Sequence, residues 1–118
     1  MNIEELHEHC LSYKGVTESF PFDETSLVLK VCEKMFALIP LDESELQISL
    51  KCDPEKAIEL REKYSCVTSA FHFNKKYWNT IYLNRGMNDE EVKSWIAHSL
   101  DEVLKKLPKR IRDDYYQT

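Results

Sequence analysis

Ser26-Leu27-Val28-Leu29-Lys30-Val31-Cys32-Glu33-Lys34-Met35-Phe36-Ala37-Leu38-Ile39-Pro40 is the stretch whose reading decides the fold. Leu27, Leu29 and Val31 alternate with Ser26, Val28 and Lys30, the two-residue period of a strand with one buried face. A turn at Glu33-Lys34 leads into Met35–Ile39, where every position is apolar, as expected of a central strand covered on both faces. Pro40 ends it. Leu46, Ile48 and Leu50 then alternate with Gln47, Ser49 and Lys51, a second half-buried pattern. The connections are short, so the strands are expected to form an antiparallel meander. Glu18–Phe22 is a candidate edge strand, and Trp78–Leu83 reads as a later one.

Helices flank this sheet. Asn2 can cap a helix whose apolar positions, Ile3, Leu6, Cys10 and Tyr13, recur at helical spacing until Gly15 stops it. Glu4, Glu5 and Glu8 suit the positive end of its dipole. Asp53-Pro54 places a side-chain acceptor at N-cap and proline at the first helical position, opening a second helix that runs to about Tyr64. Asn88 caps a long last helix, in which Glu91 is placed to complete a capping box. Its stripe of Val92, Trp95, Ile96, Ser99, Leu100, Val103 and Leu107 faces the core, with Trp95 expected to be mostly buried. Pro108 breaks it, leaving Lys109–Tyr116 as a short terminal helix or tail. Residues 1–118 therefore read as one α+β domain, an antiparallel sheet packed against N- and C-terminal helices.

Composition bounds the function. The chain has 118 residues, 42% hydrophobic, enough for one domain with a single core. No apolar run approaches the ~20 residues of a membrane span, and the acidic N-terminus is unlike a signal peptide, so a bacterial, cytoplasmic protein is expected. A monomer is expected. Cys10, Cys32, Cys52 and Cys66 are scattered without a C-x-x-C pair, which favours reduced thiols over disulfides or a zinc site. His7 and His9 point different ways on a helix and cannot readily share a metal. No cofactor and no metal are expected.

The net charge of −5 argues against a general nucleic-acid coat protein. The sign inverts locally, however. Cys66–Met87 contains no Asp or Glu, and within it runs His72-Phe73-Asn74-Lys75-Lys76-Tyr77-Trp78-Asn79-Thr80. Lys75 and Lys76 can neutralise phosphates, with Arg85 and the basic run Lys105–Arg112 as extensions. Tyr77 and Trp78 can stack on bases or pack into the core. Asn74 can read polar groups or hold a turn. His72 can be a general base, a ligand contact or a hydrogen-bonded structural histidine, but the segment supplies no orienting acid, and Cys52 or Cys66 can meet it only through folding.

Leu50-Lys51-Cys52-Asp53-Pro54-Glu55, Leu60-Arg61-Glu62, His72–Thr80 and Leu107-Pro108-Lys109 resemble the MmcQ/YjbR family in order and spacing. Gly15-Val16, Phe20-Pro21-Phe22 and Lys34–Leu38 fit its N-terminal half. The chain departs from the family pattern at Tyr77, where histidine is frequent, and at Phe71, where tyrosine is frequent. The resemblance implies a CyaY-like, "double wing" α+β fold and a DNA-binding role, and it transfers no catalytic set. The expectation is a non-enzymatic DNA-binding module using Lys75, Lys76, His72, Asn74, Trp78 and Arg85. The alternative is a small-molecule- or protein-binding domain, with the acidic first helix serving a partner.

Overall fold

The computed structural model describes residues 1–70 and 73–118. In chain order the elements are α1 (Ile3–Leu11), β1 (Val16–Ser19), β2 (Ser26–Val31), β3 (Lys34–Pro40), β4 (Gln47–Lys51), α2 (Pro54–Lys63), β5 (Val67–Ser69), β6 (Trp78–Tyr82), α3 (Asp89–Leu104) and α4 (Lys109–Gln117). The strands form one six-stranded sheet in the order β1-β2-β3-β4-β6-β5. Every neighbouring pair is antiparallel. The first four strands are the expected meander. After α2 the chain reaches the far edge as β5, and β6 returns between β5 and β4.

The caps form where the side chains allow. Asn2 Oδ1 accepts from the Glu5 backbone at 2.8 Å and the Glu5 carboxylate accepts from the Asn2 N–H at 3.1 Å, closing a capping box. Asp53 accepts from the Lys56 N–H at 3.2 Å, with Pro54 in the first helical turn. Asn88 caps α3 through the Glu91 N–H at 2.8 Å, but Glu91 does not reciprocate. Its carboxylate instead accepts from the Tyr64 hydroxyl at 2.6 Å and from the Trp95 indole N–H at 3.4 Å. A tertiary partner thus takes the side chain that local pattern assigned to the cap, tying the end of α2 to the start of α3.

Three local expectations shift. The β2–β3 turn is Cys32-Glu33, one residue earlier than expected, with φ of 48° and 65° at its two positions. Left-handed backbone at both central residues is the signature of a two-residue hairpin matched to strand twist. The edge strand is Val16–Ser19, not Glu18–Phe22, because the chain leaves the sheet at Phe20-Pro21, where proline has no N–H to donate. β3 carries a bulge: Leu29 pairs with Ala37 and Lys30 with Met35, leaving Phe36 as the extra residue. Phe36 and Ala37 are both fully buried in the core, while Met35 is turned to the other face and only half-buried. Ser99 of α3 serves this irregularity. Its hydroxyl donates to the Phe36 carbonyl at 2.6 Å and accepts from the Lys51 N–H at 2.9 Å.

The core lies on one side of the sheet. Leu27, Leu29, Ile39, Ile48, Leu50 and Ile81 meet Leu6 and Cys10 of α1, Ala57 and Leu60 of α2, and Val92, Ile96, Leu100 and Val103 of α3 in one cluster. Trp95 is half-buried at its margin, because its indole reaches out to Glu91. α4 closes over the loop before β1. Gly15 has φ of +72° and a Cβ there would stand 3.3 Å from the Tyr115 ring, whose hydroxyl donates to the Lys14 carbonyl at 2.9 Å. No helix among the described residues is long and apolar enough to cross a membrane.

Candidate functional site

β4 ends at Lys51 directly opposite Trp78, the first residue of β6, and the last turn of α3 comes down beside them. The loop before β6 is shaped by Asn74: its side chain accepts from the Lys76 N–H at 3.0 Å and its carbonyl from the Tyr77 N–H at 3.0 Å. Asn74 therefore builds the turn that presents Lys75 and Lys76. Tyr77 is the hub. Lys76 Nζ lies 5.5 Å and Lys106 Nζ 4.7 Å from its ring centroid, so the loop and the C-terminal basic run meet on one aromatic ring. Phe73 stacks on Trp78 with centroids 4.8 Å apart, stiffening the same corner.

Lys51 joins the group. Burial, aided by the nearby charges of Lys106 and Lys105 and opposed by Glu102, holds its ammonium below the ordinary lysine range. Lys105 is already engaged by the buried Glu102 carboxylate at 2.5 Å, which raises its pKa. Arg112 donates to the Lys105 carbonyl at 3.1 Å, bringing the start of α4 to the corner. Among the described residues no carboxylate lies within ion-pair distance of Lys75, Lys76 or Lys106.

Arg85 is not part of this group. It follows β6 at the strand's other end, where it pairs with Glu45 at 2.9 Å and lies over the Tyr82 ring at 5.3 Å. His72 lies outside the described residues. Trp78 is half-buried, between a core residue and a free platform.

The sheet face turned away from the helices runs on from the corner. By register it carries Lys51 and Trp78, then Ser49 and Thr80, then Gln47 and Tyr82, and toward β1 Leu38, Val28 and Lys30. Among the described residues no strand position on this face is Asp or Glu, although the chain has 21 acids. Met35–Ile39 is thus covered by helices on one face only, and its unbroken apolar run reflects the bulge and this half-buried outer face.

Other chemistry in the neighbourhood is committed to structure. The Asp53 N–H donates to His98 Nε2 at 3.1 Å, so His98 is a neutral acceptor, and burial lowers its pKa. Burial pushes the Cys52 thiol up to about 12, which keeps it protonated near neutral pH. Arg61 donates to Asn79 Oδ1 at 2.6 Å, and the Asn79 amide donates to the Ala57 carbonyl at 3.2 Å, fastening α2 to β6. The four cysteines are free thiols. No group of three or more His, Cys, Asp or Glu side chains is arranged to hold a metal among the described residues.

Fold and corner define a one-sided α+β domain: six antiparallel strands, helices on one face, and cations gathered where β4 and α3 end and β6 begins. The chain belongs to the YjbR family, whose sequence model matches residues 11–102. It is 31% identical over 112 residues to the uncharacterized protein YjbR of Escherichia coli K12, covering 95% of each chain. It is 30% identical over 118 residues to the uncharacterized protein YbdF of Escherichia coli O157:H7, covering 93% of each. The crystal structure of Deinococcus radiodurans protein DR2400, a DUF419 domain, superposes with a TM-score of 0.90 at 32% identity, covering 97% of this chain and 87% of that one. A crystal structure from Pseudomonas syringae matches with a TM-score of 0.73 at 25% identity, covering 84% of this chain and 96% of that one.

Proposed function

We propose that this protein is a non-enzymatic nucleic-acid-binding module whose phosphate contacts come from Lys75, Lys76, Lys106 and Lys51. The observation that carries the reading is the placement of Lys76 and Lys106 on the same Tyr77 ring. Two basic segments remote in sequence converge on one point, and the acid-free outer face of the sheet extends from it. A phosphate backbone laid across the corner meets several cations and no strand carboxylate. The net charge of −5 opposes approach at long range, so binding is weak and depends on short-range contact.

The test is a titration of labelled duplex and single-stranded DNA at low and moderate salt, with wild type beside the Lys76→Glu/Lys106→Glu double variant. Two to five phosphate contacts give a log–log salt slope of roughly −2 to −4.5 on duplex DNA. The variant weakens binding to all sequences alike, because phosphate contacts position a protein without reading bases. No binding by the wild type at low salt, or equal binding by the variant, overturns the proposal.

A further inference from the structure

The opposite end of the sheet has a different character. Of the seven exposed large hydrophobic residues among those described, three lie together: Ile3 at the start of α1, Phe20 after β1 and Leu41 after β3, exposed by 38%, 48% and 44%. Single exposed apolar side chains are ordinary, but a cluster is not. They line two adjoining hollows of about 400 and 280 Å³ that share Ile3 and Leu41 and so form one groove. Its floor is Leu27, Pro40 and Leu46, and Glu4, Glu18 and Glu43 stand among its lining residues. Among the described residues no Lys or Arg lines it; the Met1 N-terminal ammonium, which does, is already held by Asn84 at 2.7 Å and Asp89 at 3.3 Å, and the lining histidine, His7, is in contact with Glu18.

We infer that this groove docks a basic segment of a partner protein, one that places apolar side chains on Ile3, Phe20 and Leu41 and lysines or arginines against Glu4, Glu18 and Glu43. The apolar floor supplies contact area and the acids supply sign. The groove is open along its length, unlike a site that encloses a small molecule. Acidic partners, nucleic acid included, are repelled by the same three carboxylates. The chain's own basic helix cannot fill the groove. α4 packs on Lys14 and Gly15 before β1, whereas Phe20 lies beyond the other end of that strand.

The probe is a pair of labelled amphipathic 12-residue peptides with the same leucine spacing, one carrying lysines and the other glutamates. The lysine peptide binds and the glutamate peptide does not. Leu41→Ser and Phe20→Ser, both at exposed positions, each weaken the lysine peptide by at least about tenfold, as loss of an apolar anchor does. Lys76→Glu/Lys106→Glu leaves it unchanged. Amide chemical-shift changes centre on Ile3, Phe20 and Leu41. Equal binding of both peptides, shifts centred elsewhere, or full binding by Leu41→Ser overturns the inference. Concentration-dependent self-association of the wild type that Leu41→Ser removes also overturns it, by making a second copy of this chain the occupant.

Discussion

The two ends of β4 and β6 are opposites. At one end Lys76 and Lys106 meet on Tyr77 with Lys51 close to Lys106, and at the other Glu4, Glu18 and Glu43 rim an apolar groove. The corner is polar and cationic and is assembled from a loop and two helix ends. The groove is apolar and anionic and is assembled from α1 and the strand ends facing it. A net charge of −5 describes neither. Sign at a surface is set by which elements end there, and antiparallel strands send their two ends to different surroundings.

The largest effect on this comparison comes from the core that joins the ends. Phe36 is fully buried where the β3 bulge meets α3, and Ser99 holds its carbonyl. Phe36→Ala should cost about 3–5 kcal/mol, since it opens a cavity in the core. Urea denaturation followed by circular dichroism measures it. A loss under about 1 kcal/mol would mean that the bulge is not packed as described.

A second prediction concerns acid. His98 stands beside the corner, accepting from the Asp53 N–H and facing Glu102, Asp53, Lys56 and Lys105. Burial, the leading cause, lowers its pKa below 6.5. The unfolded chain then binds the proton more readily than the folded one, so this stability is fully present above about pH 6.5 and is lost as pH falls through the lowered folded value. His9, which contacts Tyr13 and faces Lys93 and Glu90, shifts the same way, again mainly by burial. His98→Gln should therefore reduce the acid slope of stability without abolishing it. An unchanged slope between about pH 5 and 7 would remove His98 from the account.

Much of this was legible in the sequence, and the main failures trace to partners the spacing does not show. The caps at Asn2, Asp53 and Asn88 are local, and each lies where spacing placed it. The alternation of Leu27, Leu29, Ile48 and Leu50 marked the buried face correctly. The Phe36 bulge was not legible, because an unbroken apolar run reads alike whether its second face is covered or a residue is inserted. Glu91 has the spacing of a capping box, and only the folded chain brings Tyr64 within reach of it. The meeting of Lys106 with Tyr77 has no sequence signal, since it depends on how far α3 runs before Pro108. Trp95 follows the helical stripe but stops at its edge. Non-local partners decided Glu91 and Lys106, whereas Trp95 is drawn outward by Glu91 one turn away on its own helix.

The smallest expected effect is the one that most sharpens the comparison. Cys66–Met87 contains no acid, so Arg85 reads in sequence as part of the same basic patch as Lys75 and Lys76. The fold separates them. β6 runs five residues between the two sites, and at ~3.3 Å per residue that exceeds the Debye length of ~8 Å at physiological salt. Arg85 is also engaged by Glu45 and Tyr82. That ion pair is half-exposed at 53% on each side and contributes at most about 1 kcal/mol, and the stacking on Tyr82 adds a similar amount or less. Arg85→Ala should therefore lower stability slightly and, at physiological salt, change DNA binding less than about twofold, whereas removing a corner cation that touches phosphate would weaken it further. The measurement is the titration described for the corner variant, run on Arg85→Ala at two salt concentrations. Weakening comparable to that of Lys76→Glu/Lys106→Glu would show that nucleic acid lies along the whole outer face from Trp78 to Tyr82, and the two ends would then belong to one surface.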